Sequence, residues 1–141
     1  MKELAFQSLI AKAAREVGGF AHKMSSRFLV GVPDLLLQLP SKYTGMWEVK
    51  IDDMPKMKSE ITPAVTPLQL KWLREYINSD GVGGVISGVR SDKGLYIKVY
   101  RMVGDEETMP PLAVDDYVLL PRGRREEVIV SEICKYTPNQ S

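Results

Sequence analysis

Apolar residues recur at steps of three and four from Lys2 to Val17. Phe6, Leu9, Ile10, Ala13, Ala14 and Val17 form one stripe, which predicts an amphipathic helix ended by Gly18-Gly19. A two-residue alternation then takes over. Phe20 to Met24 reads as a short strand, with Phe20, His22 and Met24 on one side and Ala21 and Lys23 on the other. Leu35, Leu37 and Leu39 are the apolar row of a second strand, opposite Asp34, Leu36 and Gln38. Trp47, Val49 and Ile51 are that of a third, Met46 to Ile51, opposite Glu48 and Lys50. Pro40 to Gly45 fits a hairpin loop, which makes these two strands antiparallel neighbours. Asp52 to Val65 carries Pro, Met, Lys and Asp without periodicity and reads as a loop free to move.

Thr66-Pro67-Leu68-Gln69 starts a second helix: threonine at the N-cap, proline at the first helical position and glutamine three residues after the cap. Its expected stripe is Leu68, Trp72, Leu73, Tyr76 and Ile77, and Asp80-Gly81 ends it. Gly83 to Val89 and Leu95 to Val103 read as strands joined at a Ser91-Asp92-Lys93-Gly94 turn. From Gly104 the pattern changes. A connection through Met109-Pro110-Pro111 leads to the apolar run Tyr117 to Leu120, a basic cluster of Arg122, Arg124 and Arg125, and a Glu126 to Tyr136 segment that suits either a strand or a helix.

A chain of 141 residues with 44% hydrophobic and 26% charged residues is long enough for one domain with its own core. The net charge of +1 excludes a globally basic nucleic-acid binder, so any contact with nucleic acid must come from local clusters. One cysteine, Cys134, and no apolar run of membrane-spanning length point to a reducing compartment, either the cytoplasm or the nucleoid, and to no membrane partner.

The hairpin carries the chemistry. It can bring Asp34, Glu48 and Lys50 together, and two converging carboxylates bind a hard cation such as Mg²⁺, which completes its shell with water and phosphate oxygens. A lysine on the same face as the glutamate can hold an attacking water and neutralise charge developing on phosphorus. That trio suits metal-assisted phosphodiester hydrolysis. Taken separately, Asp34 also serves as a turn residue after Pro33, and Glu48 with Lys50 as a solvated strand face.

Pro33-Asp34, with Glu48-Val49-Lys50 beginning fourteen residues after Asp34, resembles the PD-(D/E)XK nuclease signature. The flanking Gly31-Val32-Pro33-Asp34-Leu35 is similar more narrowly to the virus-type replication-repair nuclease (VRR-NUC) group and to phage and archaeal Holliday-junction resolvase-like endonucleases. The resemblance covers about Lys2 to Val103. It implies an α/β, restriction-endonuclease-like core, a central mixed β-sheet flanked by helices, over residues 1–103, leaving 104–141 as a C-terminal extension packed on the same domain. It also implies Asp34 and Glu48 as metal ligands, Lys50 as the lysine at the attacking water, the Val49 carbonyl as a further ligand and Gln69 near the metal. A glutamate on the N-terminal helix completes the acidic cluster in such families. Glu3 matches by placement, with Glu16 as the competing candidate, and an acidic first-turn residue also complements a helix dipole.

The expected activity is therefore that of a Mg²⁺-dependent DNA endonuclease, with Mn²⁺ able to substitute. Its expected substrate is branched DNA, such as a Holliday junction or a flap, cut by a homodimer in recombination, repair or phage DNA processing. Lys23, Arg27, Lys56, Lys58 and Arg124 are the candidate phosphate contacts, each also readable as an ordinary exposed cation. The alternative is a non-catalytic nucleic-acid-binding protein that retains the fold. Gly81-Val82-Gly83-Gly84 lacks the Lys-Ser/Thr of a phosphate-binding P-loop and precedes a strand, which excludes that role.

Overall fold

The computed structural model describes residues 1–24, 30–40 and 44–135. Helix α1 (Glu3–Glu16) leads into β1 (Phe20–Lys23), β2 (Leu35–Gln38) and β3 (Thr44–Asp53). A short β4 (Glu60–Ile61) precedes α2 (Pro67–Asn78), followed by the hairpin β5 (Val82–Ser91) and β6 (Gly94–Arg101). The chain closes with β7 (Leu112–Ala113), a single 3₁₀ turn, β8 (Val118–Leu119) and α3 (Arg125–Cys134). Six strands make one mixed sheet in the order β1-β2-β3-β5-β6-β8, and β4 pairs with β7 in a separate ribbon. The α/β architecture expected from the sequence, a central mixed sheet flanked by helices, is the one observed.

Alternation along the strands decides which face does what. Leu35, Leu37, Trp47, Val49, Ile86, Ile97 and Val99 point to one side, where Phe6, Leu9 and Ile10 of α1 and Ile129 and Ile133 of α3 meet them in the main core. Gly88 of β5 allows this close packing, because a Cβ there would lie 2.7 Å from the Phe6 ring. The opposite face of β5 is covered separately: Val85 and Val89 pack with Ile61, Met109, Leu112 and Tyr117. Leu70 and Leu73 of α2 form a third cluster with Met102.

β3 and β5 are the one parallel pair in the described sheet, and α2 lies in the crossover between them. The capping box is complete: Thr66 Oγ1 accepts from Gln69 N–H, and Gln69 Oε1 accepts from Thr66 N–H at 2.9 Å. The buried side of α2 differs from the expected stripe. Leu70 and Leu73 are its buried residues, whereas Leu68 is 55% exposed. Trp72, Tyr76 and Ile77 of that stripe are half-buried, Trp72 and Ile77 against the Leu70, Leu73 and Met102 cluster, so Leu68 is the one residue of the stripe left exposed.

Two further elements differ from the sequence reading, and a third resolves to one of the two alternatives it left open. β3 runs on to Asp53, so the third strand is longer than its apolar alternation showed. The segment after it is pinned rather than free, because Glu60 and Ile61 pair with Ala113 and Leu112, and Val114 N–H donates to the Ser59 carbonyl at 2.8 Å. The segment starting near Glu126 is a helix, with Ile129 and Ile133 one turn apart against the core. His22 is exposed on β1, its ring stacked on Phe20 at 6.4 Å between centroids.

Candidate active site

Register brings the first two carboxylates together. In the antiparallel β2/β3 pair, Leu35 opposes Trp47 and Leu36 opposes Met46. Continued by one residue, this register sets Asp34 opposite Glu48, and side chains directly opposed on an antiparallel pair share a face with Cβ atoms about 5 Å apart. Asp34 is fixed by its own hydrogen bond, since its Oδ2 accepts from the Val49 N–H at 2.8 Å. The approach to Asp34 is shaped by Gly31, whose φ of +85° is left-handed and whose Cβ, if present, would sit 3.0 Å from the Leu68 carbonyl oxygen of α2. Gly31-Val32-Pro33 is thus a turn tucked against α2, and it delivers Asp34 to the edge of Glu48.

Glu48 is 1% exposed. Its Oε1 accepts from Gln69 Nε2 at 3.2 Å and lies 3.7 Å from Lys50 Nζ, while its Oε2 is buried with no hydrogen-bond partner among the described residues. Burial, followed by the adjoining Asp34 carboxyl, pushes the Glu48 carboxyl up to about 9, and the attraction of Lys50 does not outweigh them. A buried carboxyl group beside a second carboxylate offers the oxygen donors that hard cations take.

Gln69 bonds in two directions at once. Its backbone and Oε1 complete the α2 cap, and its Nε2 holds Glu48. Glu3, half-buried at the start of α1, lies within electrostatic reach of Lys50, Asp34 and Asp52, and burial raises its carboxyl. Arg90 anchors this end of α1 by donating from Nη1 to the Met1 carbonyl at 2.7 Å. Glu16, at the other end of α1 from Glu3, is exposed and pairs with Lys12 at 3.7 Å. Among the described residues, no three Asp, Glu, His or Cys side chains form a group able to enclose an ion unaided. That is compatible with Mg²⁺, which uses one or two carboxylates and keeps several waters.

The candidate phosphate contacts are dispersed. Lys23 Nζ donates to Ser8 Oγ at 2.6 Å, and its strand neighbour Met24 donates N–H to the Asp34 carbonyl, so this lysine is next to the hairpin. Lys56 and Lys58 are exposed on the segment after β3. Arg124, at the N-cap of α3, pairs with Glu127 at 3.1 Å. Arg27 lies outside the described residues, as does the hairpin tip at 41–43.

The chain is similar to a solved VRR_NUC domain. The two share 25% sequence identity over 62% of this chain and 82% of that one, with a TM-score of 0.45. No family model matches the chain, and no curated protein does. No helix among the described residues is long and apolar enough to cross a membrane.

Proposed function

We propose that the protein is a metal-dependent endonuclease that hydrolyses phosphodiester bonds in DNA. The observation that carries this reading is the convergence of Asp34, Glu48 and Lys50 on one face of the β2/β3 pair, with the Glu48 carboxyl buried and one of its oxygens unpartnered. In this reading Asp34 and Glu48 would hold the ion, Mg²⁺ with Mn²⁺ as substitute, Glu3 would complete the acidic cluster from α1, and the Val49 carbonyl would add a ligand.

The bound cation would supply Lewis-acid polarisation of the scissile phosphate. The chain's own residues do the rest. Asp34, tied to the Val49 amide, and Glu48, tied to Gln69, are held in fixed orientations, so little rearrangement is needed on loading. Lys50 presents its ammonium beside them, where it orients the attacking water by donating to its oxygen and offsets negative charge as it builds on the phosphate. Lys23, Arg27, Lys56, Lys58 and Arg124 contact the DNA backbone without reading bases.

The substrate is branched DNA. A sequence-selective enzyme needs an element that enters a groove, and no described segment outside the core is built as such a reader. Paired nicks in opposed strands of a junction require two sites at fixed separation, which a homodimer supplies. The test is incubation of the purified protein with four-way junction, flap and plasmid DNA, in Mg²⁺ or in chelator. Junction or flap cleavage that needs Mg²⁺ supports the reading. Binding in chelator with every strand intact in Mg²⁺ would instead identify a non-catalytic nucleic-acid-binding protein.

A further inference from the structure

Beyond the trio, the same face of β3 carries a fourth ionisable group. Asp52 follows Lys50 by two residues inside the strand, so Glu48, Lys50 and Asp52 project in a row on one side of the sheet. Asp52 Oδ2 is buried and has no hydrogen-bond partner among the described residues. Arg90 gives its Nε to Asp53 Oδ1 at 2.9 Å and its Nη1 to the Met1 carbonyl, and it acts on Asp52 by charge rather than by a hydrogen bond to Oδ2.

The wall around Asp52 is built by the C-terminal part of the chain. Ser87 of β5 is the register partner of Lys50, and its hydroxyl is bonded to the Tyr117 hydroxyl at 2.7 Å. Tyr117 is buried, and its phenol lies close enough to Asp52 to feel the carboxylate's charge. Lys50 is therefore flanked on its own strand by two carboxyl groups, Glu48 behind and Asp52 ahead, each with a buried oxygen that has no donor among the described residues.

These two oxygens cannot play the same part. Lys50 Nζ lies 3.7 Å from Glu48 Oε1. Once Glu48 is shared with a dication, an ammonium at that range meets a like charge in a poorly solvated place. A lysine on a flexible four-carbon stem can swing away, provided an acceptor lies within its reach. We propose that Asp52 is a positioning residue whose carboxylate seats the Lys50 ammonium when Glu48 takes up a divalent cation, so that the lysine stays at the site, aimed along the strand, instead of being expelled into solvent. This rests on the reading of Asp34 and Glu48 as metal ligands. It assigns the Tyr117–Ser87 pair as the wall that keeps the seat dry.

The test is Mn²⁺ affinity measured by titration calorimetry on the full chain without DNA, for the wild type, Asp52→Asn, Lys50→Met and the double variant. With Lys50 present, Asp52→Asn weakens binding by about fivefold, as expected for coupled neighbours, and in the Lys50→Met background the same change costs less than about twofold. Asp52→Glu, which keeps a carboxylate within reach of Nζ, recovers part of the loss. A loss as large or larger in the Lys50→Met background would overturn the proposal, since direct attraction between Asp52 and the ion grows when the intervening cation is removed. Asp52→Glu binding no better than Asp52→Asn would overturn it too. Failure of the underlying reading is distinguishable: Asp34→Asn and Glu48→Gln would then bind Mn²⁺ as the wild type does.

Discussion

Replacing Glu48 by Gln should make the cation-free protein more stable. The Glu48 carboxyl is raised from 4.5 to about 9, first by burial and then by Asp34. A carboxyl whose folded value lies above its unfolded one leaves the protein fully stable below the unfolded value, about pH 4.5. Stability then falls as pH rises and levels off past about pH 9. At pH 7 the chain is about 2.5 units above the unfolded value, and at 1.36 kcal/mol per unit the burden on folding is about 3 kcal/mol. Glutamine has nearly the same shape and does not ionise. Glu48→Gln should therefore raise stability in chelator at pH 7 by up to that amount, a midpoint gain of at most about 10 °C for a domain of this size. The assay is thermal and denaturant unfolding of both proteins in chelator at pH 5, 7 and 9, with the gap between them widening as pH rises. Saturating Mg²⁺ should close or reverse the gap, because only the wild type gains from binding. A variant no more stable than the wild type in chelator at pH 7, or a gap that does not change with pH, would refute the placement of Glu48 as a strained, counterion-seeking carboxyl group.

Other outcomes follow from the same contacts. Asp34→Asn can still accept the Val49 N–H, so its midpoint should stay within a few degrees of the wild type while Mg²⁺-dependent cleavage disappears; residual cleavage at a tenth of the wild-type rate would count against its role. Thr66→Ala and Gln69→Ala both break the α2 cap and should each cost about 1 kcal/mol in denaturant unfolding, but Gln69→Ala alone frees Glu48 and should lower the cleavage rate well beyond Thr66→Ala. Glu106 is buried where the chain leaves β6, and it accepts from the Tyr100 hydroxyl at 2.7 Å and from the Val103 and Gly104 amides. Burial pushes its carboxyl up, but those hydrogen bonds prevail and hold it below the usual range, so its stabilisation is present above about pH 4.5 and is lost as pH falls through the depressed folded value. Glu106→Ala should destabilise by about 2 kcal/mol or more at pH 7, because it strands three donors, and should leave Mn²⁺ affinity unchanged by calorimetry.

Local signals in the sequence were enough for much of this architecture. The shift from a helical to a two-residue period after Gly18 marks the end of α1 and the start of the sheet, and Thr66-Pro67-Leu68-Gln69 forms the capping box its residue types specify. The hairpin was legible because its alternation continues unbroken through Trp47, Val49 and Ile51. That same criterion hid Asp52. The apolar row ends at Ile51, whereas the strand continues through Asp53 because β5 supplies backbone partners as far as Arg90. Pairings distant in sequence left no local trace either. Glu60 finds Ala113, and Ser87 finds Tyr117, across intervening helices and strands, so neither the pinned segment after β3 nor the wall beside Lys50 shows in a window of ten residues. The role of Gln69 lay open for a different reason, since one side chain bonds both the cap and Glu48.

The central claim is that folding gathers Asp34 and Glu48 around one divalent ion. Anomalous scattering from a crystal soaked in Mn²⁺ reads this directly. A single strong peak is expected within about 2.5 Å of a carboxylate oxygen of each residue, in the range of oxygen ligation, and no such peak in crystals of Glu48→Gln. A wild-type map without density between the two carboxylates, or with the ion bound elsewhere on the surface, would contradict it.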